Sequence, residues 1–362
     1  MAADSEAMSE NCIQTQMMEE TMRLTILSSL LFAGTTLTGV SAHATGDLNL
    51  ICAADVVICE QMKGDFEKSH DIKVNMVRMS SGEAYAKIRA EARNPKTDVW
   101  WAGTGDPHLQ AASENLTLEY KSKMLDQLQD WAKNQAESAG YKTVGVYAGA
   151  LGWGYNTDIF KKKGYKEPKC WADLLAPELK GEIQIANPNS SGTAYTALAS
   201  LVQIMGEDQA FDYLKKLNAN ISQYTKSGSA PVKAAARGET ALGIVFMHDA
   251  VAQTAEGFPV KTIAPCEGTG YEIGSMSIVK GARNMENAKI WYDWALQPDV
   301  QSRMKDAKSF QLPSNKMAEI PKEAPRFEDI KLINYDFKTY GEPEKRKALL
   351  ERWDKEVGAV AN

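Results

Sequence analysis

The 362-residue sequence predicts an α/β protein: two α/β lobes joined by two strand crossings. Three observations carry this expectation. Strand and helix periodicities alternate as βαβαβ from Leu48 to Ala102. Two Gly-rich, strand-like passages without helical period follow, at Val144–Tyr155 and Gly268–Ile278. Between them lies a second set of α/β units. In such an arrangement each lobe keeps its own core, and the few crossing residues absorb a hinge motion about a cleft. The expected boundaries are 45–146 with about 270–315 for lobe one and 147–269 for lobe two. A helical tail, 316–362, is expected to pack on lobe two.

The elements are justified in order. Leu48, Leu50 and Cys52 alternate as a strand, and Asp55 begins a helix-like stretch ending near Lys68. Ile72, Val74 and Met76 alternate again around polar Lys73 and Asn75. Ser80-Ser81-Gly82 leads into a helix through Tyr85, Ile88 and Ala92, which stops at Asn94-Pro95. Asp98 to Ala102 reads as a short buried strand closed by Gly103. This opening predicts a mostly parallel sheet covered on both faces. In the second half Ile183–Ala186 is a strand, and Thr193–Met205 is a helix ended by Gly206. Another helix runs through Phe211 and Leu214, a short one covers Pro231–Arg237, and Leu242–Met247 is a strand. Helices through Trp291 and Trp294, and then Pro343–Val357, complete the chain.

A composition of 44% hydrophobic and 24% charged residues excludes a disordered, collagen-like or multispanning chain. Leu24 to Val40 is an uncharged, mostly apolar run after Arg23, and Ala42-His43-Ala44 has the small-x-small pattern of a secretory cleavage site. Residues 1–44 are therefore expected to be a leader, with a signal peptide over about 22–44, and the mature chain to be periplasmic. The leader carries one Arg and five acids, so its removal changes the formal charge from -6 to -2. A nearly neutral chain lacks the dense basic face of a general nucleic-acid binder. Cys52, Cys59, Cys170 and Cys266 remain, and an even number in an exported protein fits disulfides. Three pairings are open. Cys52–Cys59 with Cys170–Cys266 is preferred, and buried free thiols are the alternative.

Three polar stretches stand just before helices. These are Ser80-Ser81-Gly82, Asn187 to Thr193 (with Ser190, Ser191, Gly192 and Thr193), and Thr225 to Ser229 (with Lys226). A helix N-terminus offers free N–H groups and the positive end of its dipole to an anion. Ser and Thr are also the ordinary capping residues, so any one stretch alone reads as a cap. All three follow strands, where ligands of open α/β sheets bind. His248-Asp249, after Leu242–Met247, and Glu272, in the return crossing, form a second group suited to sugar hydroxyls. Trp100, Trp101, Trp153 and Tyr155 are candidates for stacking on a sugar, with core packing as the alternative.

Catalytic patterns are scarce. G-x-S-x-G, H-E-x-x-H and G-x-x-x-x-G-K-[ST] do not occur, and Gly103-Thr104-Gly105 lacks the third glycine of a dinucleotide fingerprint. With only His70, His108 and His248 in the mature chain, no metal site and no cofactor are expected.

The leader, the two lobes, Asp98-Val-Trp-Trp-Ala-Gly, Asn187-Pro-Asn-Ser-Ser-Gly-Thr and Gly274-Ser-Met-Ser-Ile together resemble a periplasmic solute-binding protein of an ABC importer. The likeness covers residues 47–362 and falls in the group of ferric-ion, polyamine and phosphonate receptors, nearest the Afu-type hexose-phosphate receptors. It implies the type II periplasmic-binding-protein fold and a monomeric, non-enzymatic receptor. The ligand implied is a hexose 6-phosphate, glucose or fructose 6-phosphate, delivered to an inner-membrane permease with a cytoplasmic ATPase. It further implies that His248, Asp249 and Glu272 contact sugar hydroxyls. Ser80, Ser81 and Ser190–Thr193 would hold the phosphate, with Thr104 and Lys226 in support. The adjacent tyrosine pair typical of ferric receptors does not occur in this chain. A phosphonate or other organophosphate, or ferric iron, is the alternative ligand. An exported sugar-phosphate hydrolase is the remote one, disfavoured because His248 and Asp249, adjacent on a strand-like segment, would point apart.

Overall fold

Val99–Trp101 and the end of Gly46–Cys52 bury both faces, as parallel strands under crossover helices must, while the edge strand Ile72–Arg78 leaves one face to solvent. In Gly46–Cys52 (β1), Leu48, Leu50 and Cys52 share one core with Ile58, Met62 and Phe66 of Val56–His70 (α1). Ile51 turns the other way, toward Tyr85, Ile88 and Trp100. β1 pairs in parallel with Ile72–Arg78 (β2) and with Val99–Trp101 (β3), and Ser81–Ala90 (α2) connects those two. The computed structural model describes residues 46–360; the expected leader over 1–44 lies outside the described residues.

Gly105–Ser113 (α3) and Asp130–Ser138 (α4) lead to Val144–Asn156 (β4), whose 13 residues are all buried. β4 runs from one core into the other. Val144, Val146 and Tyr147 belong to the first, and Leu151, Trp153 and Tyr155 to the second. The second lobe continues with Thr157–Lys163 (α5), Ile183–Ala186 (β5), Gly192–Met205 (α6) and Glu207–Asn218 (α7). Ile221–Thr225 (β6), Ala230–Ala236 (α8), Leu242–Phe246 (β7), Met247–Ala255 (α9) and Val260–Ile263 (β8) complete it. Tyr271–Ile278 (β9) returns to the first lobe, followed by Met285–Trp294 (α10), Pro298–Arg303 (α11) and Leu312–Pro313 (β10). Phe337–Tyr340 (α12) and Pro343–Glu356 (α13) then lie against the second core through Tyr340, Leu349 and Trp353.

The strand order is β2-β1-β3-β9-β4-β7-β5-β6, with β8 and β10 also on β4. The sheet is mixed, where a mostly parallel one was expected. β9 runs antiparallel to β3 and β4, and β4 runs antiparallel to β7, because the crossing strands return against the strands they join. Two further differences bear on the site. No element was expected over Gly105–Ser113, which form a helix. The strand expected over Leu242–Met247 stops at Phe246, so His248 and Asp249 lie in the first turn of α9. Disulfides join Cys52 to Cys59 and Cys170 to Cys266.

Candidate functional site

Five strands end toward one cavity between the lobes. After β2 come Arg78, Ser80 and Ser81, and after β3 Gly103 and Thr104. The second lobe brings Ser191, Gly192 and Thr193 after β5, Gly228 and Ser229 after β6, and His248 and Asp249 after β7. β9 adds Glu272.

The first group is a set of converging helix starts, α2 and α3 from lobe one and α6 from lobe two. Ala102 and Gly103 turn the chain with φ of 67° and 87°. A Cβ on Gly103 would stand 2.5 Å from Ser81 Oγ, so only glycine fits this turn. Thr104 N–H donates to Ser81 Oγ at 3.1 Å, and Gly82 N–H donates across the cleft to the Ser190 carbonyl at 3.0 Å. Gly192 approaches so closely that a Cβ there would lie 1.9 Å from Thr104 Oγ1. Thr104 stands at the N-cap of α3 without capping it, and its hydroxyl is buried with no hydrogen-bond partner. A buried hydroxyl left open in this way is an unfilled demand for a partner.

A second group ties the lobes together beside these helix starts. Arg78 donates to the Ala54 carbonyl at 3.0 Å and, across the cleft, to Ser227 Oγ at 3.0 Å. Ser80 Oγ donates to the Lys226 carbonyl at 3.2 Å. Asp55, at the N-cap of α1, pairs with Lys233 of α8 and accepts from Ser229 Oγ at 3.3 Å. Burial pushes the Asp55 carboxyl up, but Lys233, the Val57 N–H and Ser229 outweigh it and hold the group below its ordinary value.

The third group is acceptor-rich. His248 Nε2 lies 3.8 Å from both Asp249 Oδ1 and Glu272 Oε1. Glu272 pairs with Gly149 of β4, and a Cβ on Gly149 would meet His248 Nδ1 at 2.5 Å. Burial pushes His248 down to about 3, so the ring is neutral at physiological pH. Burial, then the neighbouring Asp55, raises Asp249 to about 7 against the pull of Lys233 and Arg78. Burial, then Asp249 and Asp106, drives Glu272 well above its ordinary value.

These raised carboxyls have a defined consequence for stability. Below the ordinary carboxylate range, folded and unfolded chains are both protonated. Between there and about pH 7 the folded chain keeps the Asp249 proton that the unfolded chain has lost, so the stability from this group falls as pH rises. Asp249→Asn should stabilise the ligand-free protein by about 1–3 kcal/mol at neutral pH. It should also flatten the fall of Tm across the mildly acidic range in thermal melts. Parallel Tm profiles for variant and wild type would contradict the assignment.

Most expected residues meet here. Ser80, Ser81, Thr104, Ser191, Gly192, Thr193, His248, Asp249 and Glu272 all line the cavity. Ser190 and Lys226 do not. The Ser190 hydroxyl donates to the carbonyls of Asn187 and Lys226, and the Lys226 side chain is exposed, so only its carbonyl faces the junction. Trp100, Trp101, Trp153 and Tyr155 are core residues packed on His108, Trp291, Trp171 and Phe160 respectively. His248 and Asp249 do not point apart as strand neighbours would, because helical geometry places them on one turn. Sequence reasoning missed Arg78, Asp55, Tyr147 and Gln311, whereas Ser229 belongs to the third polar stretch. Arg78 was within reach, since it ends β2 by the same strand-end logic that selects Ser80. Cys170, Cys266 and Glu267 lie close enough together to suggest a metal site, but both sulfurs are in the disulfide.

Comparison with known proteins agrees with this architecture. The family described as bacterial extracellular solute-binding protein matches residues 94–339. An uncharacterised protein of Haemophilus influenzae is 47% identical over 336 residues, 92% of this chain and 97% of that protein. The spermidine/putrescine-binding periplasmic protein of Escherichia coli is 26% identical over 220 residues, 59% of each chain. Among solved structures, the periplasmic binding protein AfuA from Actinobacillus pleuropneumoniae, with exogenous fructose-6-phosphate bound, has a TM-score of 0.85 and 46% identity. That match covers 87% of this chain and 99% of AfuA. Iron-bound HitA from Pseudomonas aeruginosa, at 18% identity and TM-score 0.72 over 84% of this chain and 98% of HitA, shares the fold. Among the described residues no helix is long and apolar enough to cross a membrane. Two α/β lobes closed over a strand-end cavity, with the family match and these relatives, make the chain a periplasmic solute-binding protein of the ABC-importer type, a member of the bacterial extracellular solute-binding protein family.

Proposed function

We propose that the protein is the receptor for a hexose 6-phosphate, glucose or fructose 6-phosphate, and hands it to an inner-membrane permease. The observation that carries this reading is one cavity with two chemistries. Helix starts and hydroxyls, including the partnerless Thr104 Oγ1, suit a phosphate, and Arg78 adds a positive charge nearby. Asp249, Glu272 and His248 suit hydroxyl donors. Asp249 titrates near neutrality and its ionised form would repel a dianion, so the ligand lies with its phosphate away from it. The bound fructose-6-phosphate of AfuA supports the same choice. The ligand touches both lobes only when the cleft is closed, so binding shifts the population toward the closed form.

Calorimetry with glucose 6-phosphate, fructose 6-phosphate and ferric citrate tests the reading. Sugar-phosphate binding without iron binding is expected; iron binding alone, or release of inorganic phosphate, would overturn it. Asp249→Ala and Glu272→Ala should each cost about 1–3 kcal/mol of binding by leaving a ligand hydroxyl unpaired. Wild-type affinity in either variant would remove that side chain from the hydroxyl contacts.

A further inference from the structure

Gln311 reaches the cavity from the irregular segment before β10, 63 residues from the histidine it touches. Its side-chain oxygen accepts from the Ser309 hydroxyl, and its amide nitrogen lies 3.3 Å from His248 Nε2. The amide oxygen can only accept and the amide nitrogen can only donate. With the oxygen held by Ser309, the nitrogen donates to His248, and Nε2 must be the acceptor. A neutral imidazole has one proton, which then sits on Nδ1, buried and without a hydrogen-bond partner.

This matters for the neighbouring carboxyls. Among the described residues no side chain hydrogen-bonds to Asp249 or Glu272, and Nε2 is the ring nitrogen that faces both, at 3.8 Å. A proton on Nε2 would compete with a ligand for those oxygens. With the Nε2 lone pair turned to Gln311, the carboxyls stay open to hydroxyl donors.

We propose that Gln311 is a positioning residue that selects the Nδ1–H tautomer of His248 and so keeps Asp249 and Glu272 free for ligand hydroxyls. The tautomer is a property of the ligand-free protein; its consequence for affinity rests on the hexose-phosphate reading. Nitrogen-15 NMR of histidine-labelled protein reads the tautomer directly, with His248→Gln identifying the signals. The expected wild-type pattern is a protonated Nδ1 and an unprotonated Nε2. Gln311→Glu, whose carboxylate can only accept at neutral pH, should move the proton to Nε2, and Gln311→Met should give a mixture. A wild-type proton on Nε2, or an unchanged pattern in Gln311→Glu, overturns the proposal. Glucose 6-phosphate affinity should fall about tenfold in Gln311→Glu while the variant still melts cooperatively. Equal affinity overturns the role in ligand selection. Wild-type protein that binds no hexose phosphate but gives the expected nitrogen pattern overturns the receptor reading and leaves the tautomer assignment standing.

Discussion

Gly82→Ala is expected to abolish tight ligand binding without unfolding the protein. Gly82 lies in the first turn of α2, where alanine is the better helix former by about 0.5–1 kcal/mol, so the lobe itself should gain slightly. The closed cleft is another matter. A Cβ at this position would stand 2.2 Å from the Asn189 carbonyl oxygen and 2.9 Å from that of Ser190. Both obstacles are backbone of the opposite lobe, so no side-chain rotation relieves them. The lobes must separate by about an ångström, and the bond from Gly82 N–H to Ser190 goes with them. So do the neighbouring contacts of Arg78 with Ser227 and Ser80 with Lys226. Losing two or three such bonds amounts to about 3 kcal/mol, or roughly a hundredfold in affinity. Gly64→Ala in α1 is the matched control, since nothing lies within 4 Å of its Cβ position. Calorimetry should give near-normal binding for Gly64→Ala and roughly hundredfold weaker binding for Gly82→Ala. Small-angle scattering should hold Gly82→Ala open at saturating ligand. Undiminished affinity in Gly82→Ala would mean that the lobes do not close along this contact.

The second large effect concerns stability. Replacing Cys170 and Cys266 together by Ser should cost about 4–5 kcal/mol, against about 2 kcal/mol for the Cys52 and Cys59 pair. The cause is chain entropy: the first bridge closes 96 residues and the second 7, and the longer loop restricts the unfolded chain more. The native geometry around Cys170 has other supports. The Glu267 carboxylate accepts from the N–H groups of Trp171 and Ala172 at 2.8 and 3.1 Å, and Cys266 N–H donates to the Lys169 carbonyl. The folded state should therefore persist, with the loss appearing in the urea midpoint. An equal loss for the two pairs would show that the bridges act through the native state instead.

Some elements were legible because their signal is local. Leu48, Leu50 and Cys52 alternate because a strand presents every second side chain to one face, and the structure buries them together. Leu198, Leu201 and Val202 recur at helical spacing and lie in the second core. Gly105–Ser113 was not legible, since its Gly-Asp-Pro start resembles a turn and its helix is decided by packing under β9. The end of β7 was missed for a related reason. Met247 continues the apolar run of Leu242–Phe246, and nothing local marks the change from strand to helix one residue before His248.

The candidate site divides along the same line. Ser80, Ser81, Ser191, Gly192 and Thr193 could be picked from sequence because each follows a strand and precedes a helix, and that order alone aims backbone N–H groups at the end of the sheet, whereas Thr104 came only through the family resemblance. Asp55 against Lys233, and Gln311 against His248, could not. These pairs are 178 and 63 residues apart, and they meet only because β4 and β9 bring the two lobes face to face. The raised carboxyls of Asp249 and Glu272 and the neutral ring of His248 belong to the tertiary structure too, since desolvation depends on what closes over a group and not on its neighbours in sequence. By itself the sequence determined the periodicities, the turns and the strand-end donors, all set by interactions between residues near in the chain. The closeness of the lobes, the partners across the cleft and the protonation of the site were decided by long-range packing alone.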